Sequence, residues 1–569
     1  MRETAGDRVK RFIESKDWKL FCVLGASVIV AGAGVYYLSS SSSAPKTPDK
    51  EESSGRRGRG TSSDINQSAV LGNFENMPAE TIAKLSPTQR SEAAQSLKSR
   101  GNSMFGKKKW TEAAQLYTKA IEFKADPIYY SNRAACYANL GDNGRVFDDC
   151  NSALQLNPVY IKALNRRAHA LELRGDLETA LYDYTCVCIL ENFNNEVAAR
   201  SMERLMKKVS ERKAAEIMKT KQPRLPSSTF VSAYFDSYRS DLSRAEPVAS
   251  SENIGDSRFV EACEAIKSRN YEKAYKACDQ AIELGLSPAY QAHALNIKGT
   301  FKFLMGNAKE ALACFDKSIE IDPKYIQSYI KRSSIYIEQG NLAAAIKQFE
   351  DALAINPTDP DIYYHRGQVN YISGNYENAA KDYSKSISLD DSFVYAHIQL
   401  GVAQYKLGRI AAAMSTFQDD ALKLFPQSSE VHNYFGELLI EQQNLPQALE
   451  MFTKAIALDQ SSPLPYINKA MLTYQVMREP DEAIRLCKIA LQVDPACDAA
   501  VASLAQILLE QGKPEEALKY YETAIDLART ETEIEHAISY VEATKAQIRF
   551  AQDYPQQAAA SLSKMRGGH

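Results

Sequence analysis

The chain has 569 residues, 24% charged and 44% hydrophobic, an ordinary balance for a folded protein. With 26 Gly and 21 Pro it is neither collagen-like nor disordered throughout. Sixty-eight basic side chains nearly cancel 71 acidic ones, and the net charge of −3 gives no global reason to bind nucleic acid. The count of 31 Tyr against 2 Trp is unusual. At roughly 100–200 residues per domain, the length allows about three to five domains or one long array. Ten scattered cysteines suit a reducing compartment better than a disulfide framework. The closest pair, Cys186 and Cys188, falls in a helical stretch where residues two apart diverge, so no shared metal is expected.

Leu20–Leu38 is 19 residues without a charge. As a helix it spans about 28 Å, close to the roughly 30 Å hydrocarbon core of a bilayer. Trp18 stands at one edge and Tyr36 and Tyr37 at the other, where amphipathic rings prefer to lie. One transmembrane anchor is expected there. The competing reading is a cleaved signal peptide ending near Ser42-Ser43-Ala44, but the apolar run is long for that. Residues 1–19 carry six basic and four acidic side chains, and residues 46–59 five and three. Both flanks are net +2, so charge does not orient the span. The serine run Ser39–Ser43, two prolines and Arg56-Arg57-Gly58-Arg59 then make a flexible tether.

The body repeats. A small residue recurs at Gly101, Ala134 and Ala168, then at Ala262, Gly299, Ser333, Gly367, Gly401, Gly436, Ala470 and Ala505. The spacings are 33 and 34 in the first group and 34 to 37 in the second. About twelve residues later comes a second small residue, as at Ala113, Ala345 and Ala448, and four further on a ring, as at Tyr117, Phe349 and Phe452. Gly141, Gly175, Gly340, Gly374 and Gly408 mark turns between two helices, and prolines such as Pro158, Pro323 and Pro495 close units.

This pattern resembles the tetratricopeptide repeat. The expected fold is all-α: an α-solenoid of about eleven such repeats in two blocks, behind one N-terminal transmembrane helix. The expected order is a segment 1–19, an anchor 20–38, a flexible linker 39–92 and a three-repeat block 93–193. A helical linker and hinge 194–254 follows, then an eight-repeat block 255–531 and a closing helix and tail 532–569. Gln222-Pro223-Arg224-Leu225-Pro226 breaks the chain inside the linker.

In this repeat family, positions 2, 5, 9 and 12 of each first helix, and often 6, face a groove. In the first block the aligned residues are Lys98, Asn102, Asn132, Lys162 and Arg166, with His169 nearby. Lys98 and Asn102 share one helix face, as do Lys162 and Arg166. The set resembles the dicarboxylate clamp of chaperone-binding repeats, which holds the C-terminal Asp of the seventy- and ninety-kilodalton heat-shock chaperones. Lys and Arg supply charge and donors to acceptor-only carboxylates, and Asn adds neutral donors. In the second block the same positions give Ile330, Ile337, Tyr364, Tyr371, Tyr395, Ile398, Val402, Tyr405 and Ile467, with Gln368, Asn433 and Glu437 as polar exceptions. They read either as an apolar groove for a preprotein segment or as residues buried by tight superhelical curvature.

No catalytic constellation is present: the seven His form no His-x-x-x-His and pair with no Cys at ligand spacing. No enzyme activity, metal or cofactor is expected. The whole pattern, with the linker stretch Leu225–Arg239, resembles the seventy-kilodalton receptor family of the outer mitochondrial membrane translocase. That resemblance implies a single-pass outer-membrane protein, N-terminus in the intermembrane space and repeats in the cytosol. It implies docking of cytosolic chaperones, binding of carrier-type preproteins, and contact with other translocase subunits. The alternatives are a chaperone-tail-binding co-chaperone anchored at another organelle, or a scaffold with no client.

Overall fold

The computed structural model describes residues 74–239, Val248 and 253–559. The expected membrane span, and the tether as far as residue 73, lie outside the described residues. Among the described residues no helix is long and apolar enough to cross a membrane, and all regular structure is helical.

The chain divides into two compact units. The N-terminal unit contains described residues 74–219 together with 535–559, and the C-terminal unit contains 220–534. In the first, a short helix α1 (Ala79–Lys84) precedes three helix pairs. These are α2 (Pro87–Gly106) with α3 (Trp110–Phe123), α4 (Pro127–Asn139) with α5 (Asn143–Leu156), and α6 (Ile161–Leu173) with α7 (Leu177–Leu190). The long α8 (Glu196–Met218) follows.

The C-terminal unit opens with a helix inside the expected linker, α9 (Ser228–Asp236). Eight pairs follow: α10 (Ile254–Lys267) with α11 (Tyr271–Leu284), α12 (Pro288–Leu304) with α13 (Ala308–Ile321), and α14 (Ile326–Glu338) with α15 (Leu342–Ile355). Next come α16 (Pro360–Ile372) with α17 (Tyr376–Leu389), and α18 (Val394–Lys406) with α19 (Ile410–Ser415), which runs on through the π-helical turn Thr416–Ala421. The last are α20 (Ser429–Glu441) with α21 (Leu445–Leu458), α22 (Leu464–Leu472) with α23 (Pro480–Val493), and α24 (Asp498–Glu510) with α25 (Pro514–Leu527). Each of the eleven small residues found by spacing lies in the first helix of a pair, so the repeat period is that of the helix pairs.

The physical reason is visible at the glycines. A methyl group added at Gly101, Gly367, Gly401 or Gly436 would come within 2.6–2.7 Å of the ring of Tyr117, Tyr383, Phe417 or Phe452. The ring stands sixteen residues later, in the second helix of the same repeat. It packs against the bare backbone, so the rings join the two helices of one repeat rather than filling only the spaces between repeats. One position before the small residue, a guanidinium reaches the same partner helix. Arg133 grips Asp149 with two bonds of 2.7 and 2.9 Å, Arg167 grips Asp183 with two of 2.7 and 2.8 Å, and Arg366 grips Asp382 with two of 2.5 and 2.9 Å. Such bidentate pairs fix angle as well as distance.

The turns are equally regular. Gly340 has φ of 72° and its N–H donates to Ile337, while the Asn341 N–H donates to Tyr336. The Asn341 side chain then accepts from Ala344 N–H at 3.1 Å and caps α15. Two residues thus end one helix and start the next. Lys108, Arg269, Gln443 and Arg478 occupy the same left-handed turn without being glycine, a conformation that costs roughly 1–2 kcal/mol for a residue with a Cβ.

The segment α26 (Glu531–Asp553), expected to close the second block, belongs from Glu535 onward to the N-terminal unit. There Tyr182 donates to Asp553 at 2.5 Å, Ser210 meets Ser539 at 2.9 Å, and Lys213 pairs with Glu542 at 2.9 Å. Phe550 and Tyr554 join the core formed by α6, α7 and α8.

Replacing Gly401 with Ala should push the Phe417 ring aside and cost about 1–3 kcal/mol, the range for overpacking. Gly106 has open space around it, so its replacement by Ala should leave stability within about 0.5 kcal/mol. Urea unfolding followed by circular dichroism measures both.

Candidate functional site

Two sets of inner-face residues were expected, and the structure treats them differently. In the N-terminal unit, α2, α4 and α6 carry the five clamp residues. Asn102 and Lys162 are exposed, and Lys98, Asn132 and Arg166 are half-buried. Asn132 donates to the Asn102 side-chain oxygen at 3.4 Å, and that oxygen also accepts from the Tyr117 hydroxyl at 2.7 Å. Arg166 donates to Ser131 at 2.5 Å, next to Asn132. The hydrogen bonds therefore bring Asn102, Asn132 and Arg166 together. Lys98 lies one turn from Asn102 and Lys162 one turn from Arg166.

No carboxylate among the described residues pairs with Lys98, Lys162 or Arg166. This contrasts with their sequence neighbours: Arg133 and Arg167, adjacent to Asn132 and Arg166, are consumed by Asp149 and Asp183. Consecutive residues on one helix divide the work. Arg133 and Arg167 hold the helix pairs together, whereas the residue before each, Asn132 or Arg166, has no carboxylate partner among the described residues. Buried thiols behind this face are inert, since burial pushes Cys136 and Cys150 up to about 12.

In the C-terminal unit, seven of the nine expected groove residues are shut away, Ile467 among them at 4% exposed. Ile330, Ile337, Tyr364, Tyr371, Ile398 and Val402 are each at most 8% exposed, and only Tyr395 and Tyr405 keep a partial surface. Their cover includes the linker itself. Its start is tied to the last repeat, where the Lys221 ammonium donates to the carbonyls of Ile525 and Asp526, both at 3.0 Å. The Thr229 N–H donates to Asp494 at 3.1 Å. Its end is tied four repeats earlier. Arg239 donates to Asp361 and Asp390, both at 2.6 Å, and its guanidinium lies 4.1 Å from the centre of the Phe393 ring. Between these anchors α9 presents Phe230, Val231 and Tyr234 to the core.

The repeat position of Asn132 and Arg166 in the first unit meets this segment in the second, at Lys331 and His365. Position 6 is Asn132 and Arg166 in the N-terminal unit; it is Lys331, His365 and Gln399 here. The Tyr238 ring stacks on His365 at 4.3 Å, and the Lys331 ammonium sits 4.7 Å from the same ring. Lys331 also donates to Asn296 at 2.9 Å and Thr300 at 3.1 Å. Burial depresses its ammonium to about 7 and the His365 imidazole to about 3. Burial likewise raises Asp361 to about 6 against the pull of Arg239. Spacing alone gave no sign that Leu225–Arg239 would lie inside the array.

Glu437 is a buried acid on α20. One carboxyl oxygen accepts from Asn433 at 3.0 Å and Asn468 at 2.6 Å, and the other has no partner. Burial holds its acid well above the usual carboxylate range. The folded protein therefore keeps this proton where the unfolded chain releases it. That contribution is complete below the unfolded value of about 4.3 and is lost as pH rises toward the folded one. Glu437→Gln should match the parent near pH 5 and gain melting temperature relative to it at pH 8, in scans at both pH values.

Tetratricopeptide-repeat profiles match residues 292–325, 334–374, 370–408, 398–463 and 477–538. The human mitochondrial import receptor subunit TOM70 is 30% identical over 94% of this chain and 93% of its own length. The Saccharomyces cerevisiae receptor subunit is 30% identical over 83% of each chain. The crystal structure of yeast Tom70 superposes with a TM-score of 0.53, covering 82% of this chain and 99% of that one. Near end-to-end similarity in sequence, joined to the same helical repeat architecture, places this chain in the mitochondrial import receptor subunit TOM70 family.

Proposed function

We propose that this import receptor docks cytosolic heat-shock chaperones through Lys98, Asn102, Asn132, Lys162 and Arg166, and receives hydrophobic, carrier-type preproteins on the inner face of its C-terminal unit. The carrying observation is the set of three cations on one inner face with no carboxylate partner among the described residues, beside two linked amides. A chain ending in Asp brings two carboxylates, which are acceptors only. At about 4 Å and an effective dielectric near 20, one such ion pair is worth roughly 4 kcal/mol before desolvation. Because the cations are half-buried or exposed, much of that is screened, and affinity rests on several contacts acting together. Tyr117 supports the site indirectly by holding the Asn102 side-chain carbonyl, which leaves the amide nitrogen as the free donor.

In this reading a single N-terminal span fixes the receptor in the outer mitochondrial membrane, N-terminus in the intermembrane space and repeats in the cytosol. Other translocase subunits take over the client. In the C-terminal unit Tyr395 and Tyr405 offer contact surface, and the seven buried residues form the packed wall beneath them. Tyr combines apolar area with a hydroxyl, which suits varied clients.

Titration of a chaperone-tail peptide against the Lys98→Ala/Arg166→Ala variant should show at least about a tenfold loss of affinity, within the range for removing charged partners. Equal affinities would remove the clamp. Tyr405→Ala should weaken binding of a carrier preprotein while leaving the tail peptide's affinity unchanged, as read by fluorescence anisotropy with each labelled ligand.

A further inference from the structure

The segment Leu225–Arg239 does not fill the inner face completely. Ser228, Thr229, Ser232, Ala233 and Asp236 of α9 border a cavity of about 260 Å³. The opposite wall contains Tyr395, Glu430, Asn433, Tyr434 and Leu464. By the repeat register these are positions 2, 5 and 6 of α18, α20 and α22. The cavity is thus the part of the groove that the chain's own linker leaves open, across three consecutive repeats.

Its charges have one dominant sign. Asp236, Glu430 and Asp459 face it, against the single guanidinium of Arg269. The resident pair is loose, with Arg269 3.8 Å from Asp236. Glu430 accepts from Ser428 at 2.7 Å and Asp459 from Ser461 at 2.6 Å, so each retains lone pairs for a further donor. Tyr395 is half-buried, lines the cavity, and its hydroxyl has no hydrogen-bond partner among the described residues. The faces of Tyr395 and Tyr434 attract a cation electrostatically. A volume of about 260 Å³ is many times the roughly 30 Å³ share of one water molecule, so it accommodates a long side chain rather than a bare ion.

We propose that this cavity is a binding pocket for one lysine or arginine side chain of a bound client segment. The inference rests on the reading that the C-terminal unit holds clients, and it adds a charge requirement to a surface otherwise read as apolar. The client's aliphatic stem lies along Tyr395 and Leu464, and its cationic head reaches Asp236 and Glu430.

The test uses the full chain and two labelled amphipathic helix-forming peptides, identical except that a central arginine in one is citrulline in the other. Citrulline keeps the shape and removes the charge. The wild type should bind the arginine peptide about tenfold more tightly, a difference of one decade in Kd. Asp236→Asn with Glu430→Gln should bring the two affinities together. Arg269→Gln, which removes the competing resident cation, should widen the gap, a change that mere loss of packing would not produce. Equal binding of both peptides by the wild type overturns the charge requirement and leaves the client reading standing. Binding of neither peptide overturns both. An arginine preference unaltered by the Asp236 and Glu430 changes overturns the assignment to this cavity.

Discussion

A ring lying on a residue with little or no side chain, sixteen positions earlier, sets the geometry on which everything else depends. It brings the two helices of a repeat into backbone-to-ring contact at Gly101, Gly299, Gly367, Gly401 and Gly436. It also fixes the rotation of the first helix about its axis. The Arg–Asp pairs one position earlier lock the same rotation from the side, at Arg133, Arg167 and Arg366. Their carboxylates are nearly buried, and breaking such a pair by removing one partner typically costs about 3–5 kcal/mol. With rotation fixed twice over, positions 2, 5, 6, 9 and 12 have only one direction left, which is inward. The functional faces are what remains of the first helices once packing has claimed the rest.

On that common scaffold the two units run opposite electrostatics. Cations at positions 2 and 6 of the N-terminal unit, Lys162 and Arg166, retain access to water and lack carboxylate partners. The lysine at position 6 of the C-terminal unit, Lys331, is enclosed by Asn296, Thr300 and the Tyr238 ring. Desolvation then outweighs the distant attraction of Asp361 and draws its ammonium down to about 7. A charge presented to solvent is available to a partner; the same charge under α9 serves as a polar seat for the chain's own linker.

Much of the architecture was legible because it is periodic. Small residue, ring and turn repeat often enough that eleven units stand out, and each proved to be a helix pair. What escaped notice was aperiodic or long-range. The left-handed turns at Lys108, Arg269, Gln443 and Arg478 use no glycine, so nothing local marks them. The placement of α9 depends on bonds from Arg239 to residues 122 and 151 positions away, and that of α26 on bonds across 329 and 371 positions. No window on the sequence contains both partners. In α6, Arg166 and Arg167 are indistinguishable as letters. Only the register against Asp183 shows which one is spent on packing, and the family's position rule assigned Arg166 to the groove without that knowledge.

The near-neutral net charge of −3 conceals this division. Position 2 is Lys162 in one unit and Asp361 and Glu430 in the other. Asp361 is neutralised by Arg239 from the chain itself, whereas Glu430 faces the open cavity. A ligand ending in carboxylates is attracted by the first face and repelled by the second, and a basic client segment meets the reverse. Like charges brought together at an interface cost several kcal/mol. On the proposed assignments, discrimination between the two ligands needs no separate gate: the opposite signs of Lys162 and Glu430 at one repeat position would disfavour a chaperone tail at the cavity and a basic client at Lys162 and Arg166. The same constraint explains why an overall excess of either sign would be unhelpful, since it would weaken one of the two faces while strengthening the other.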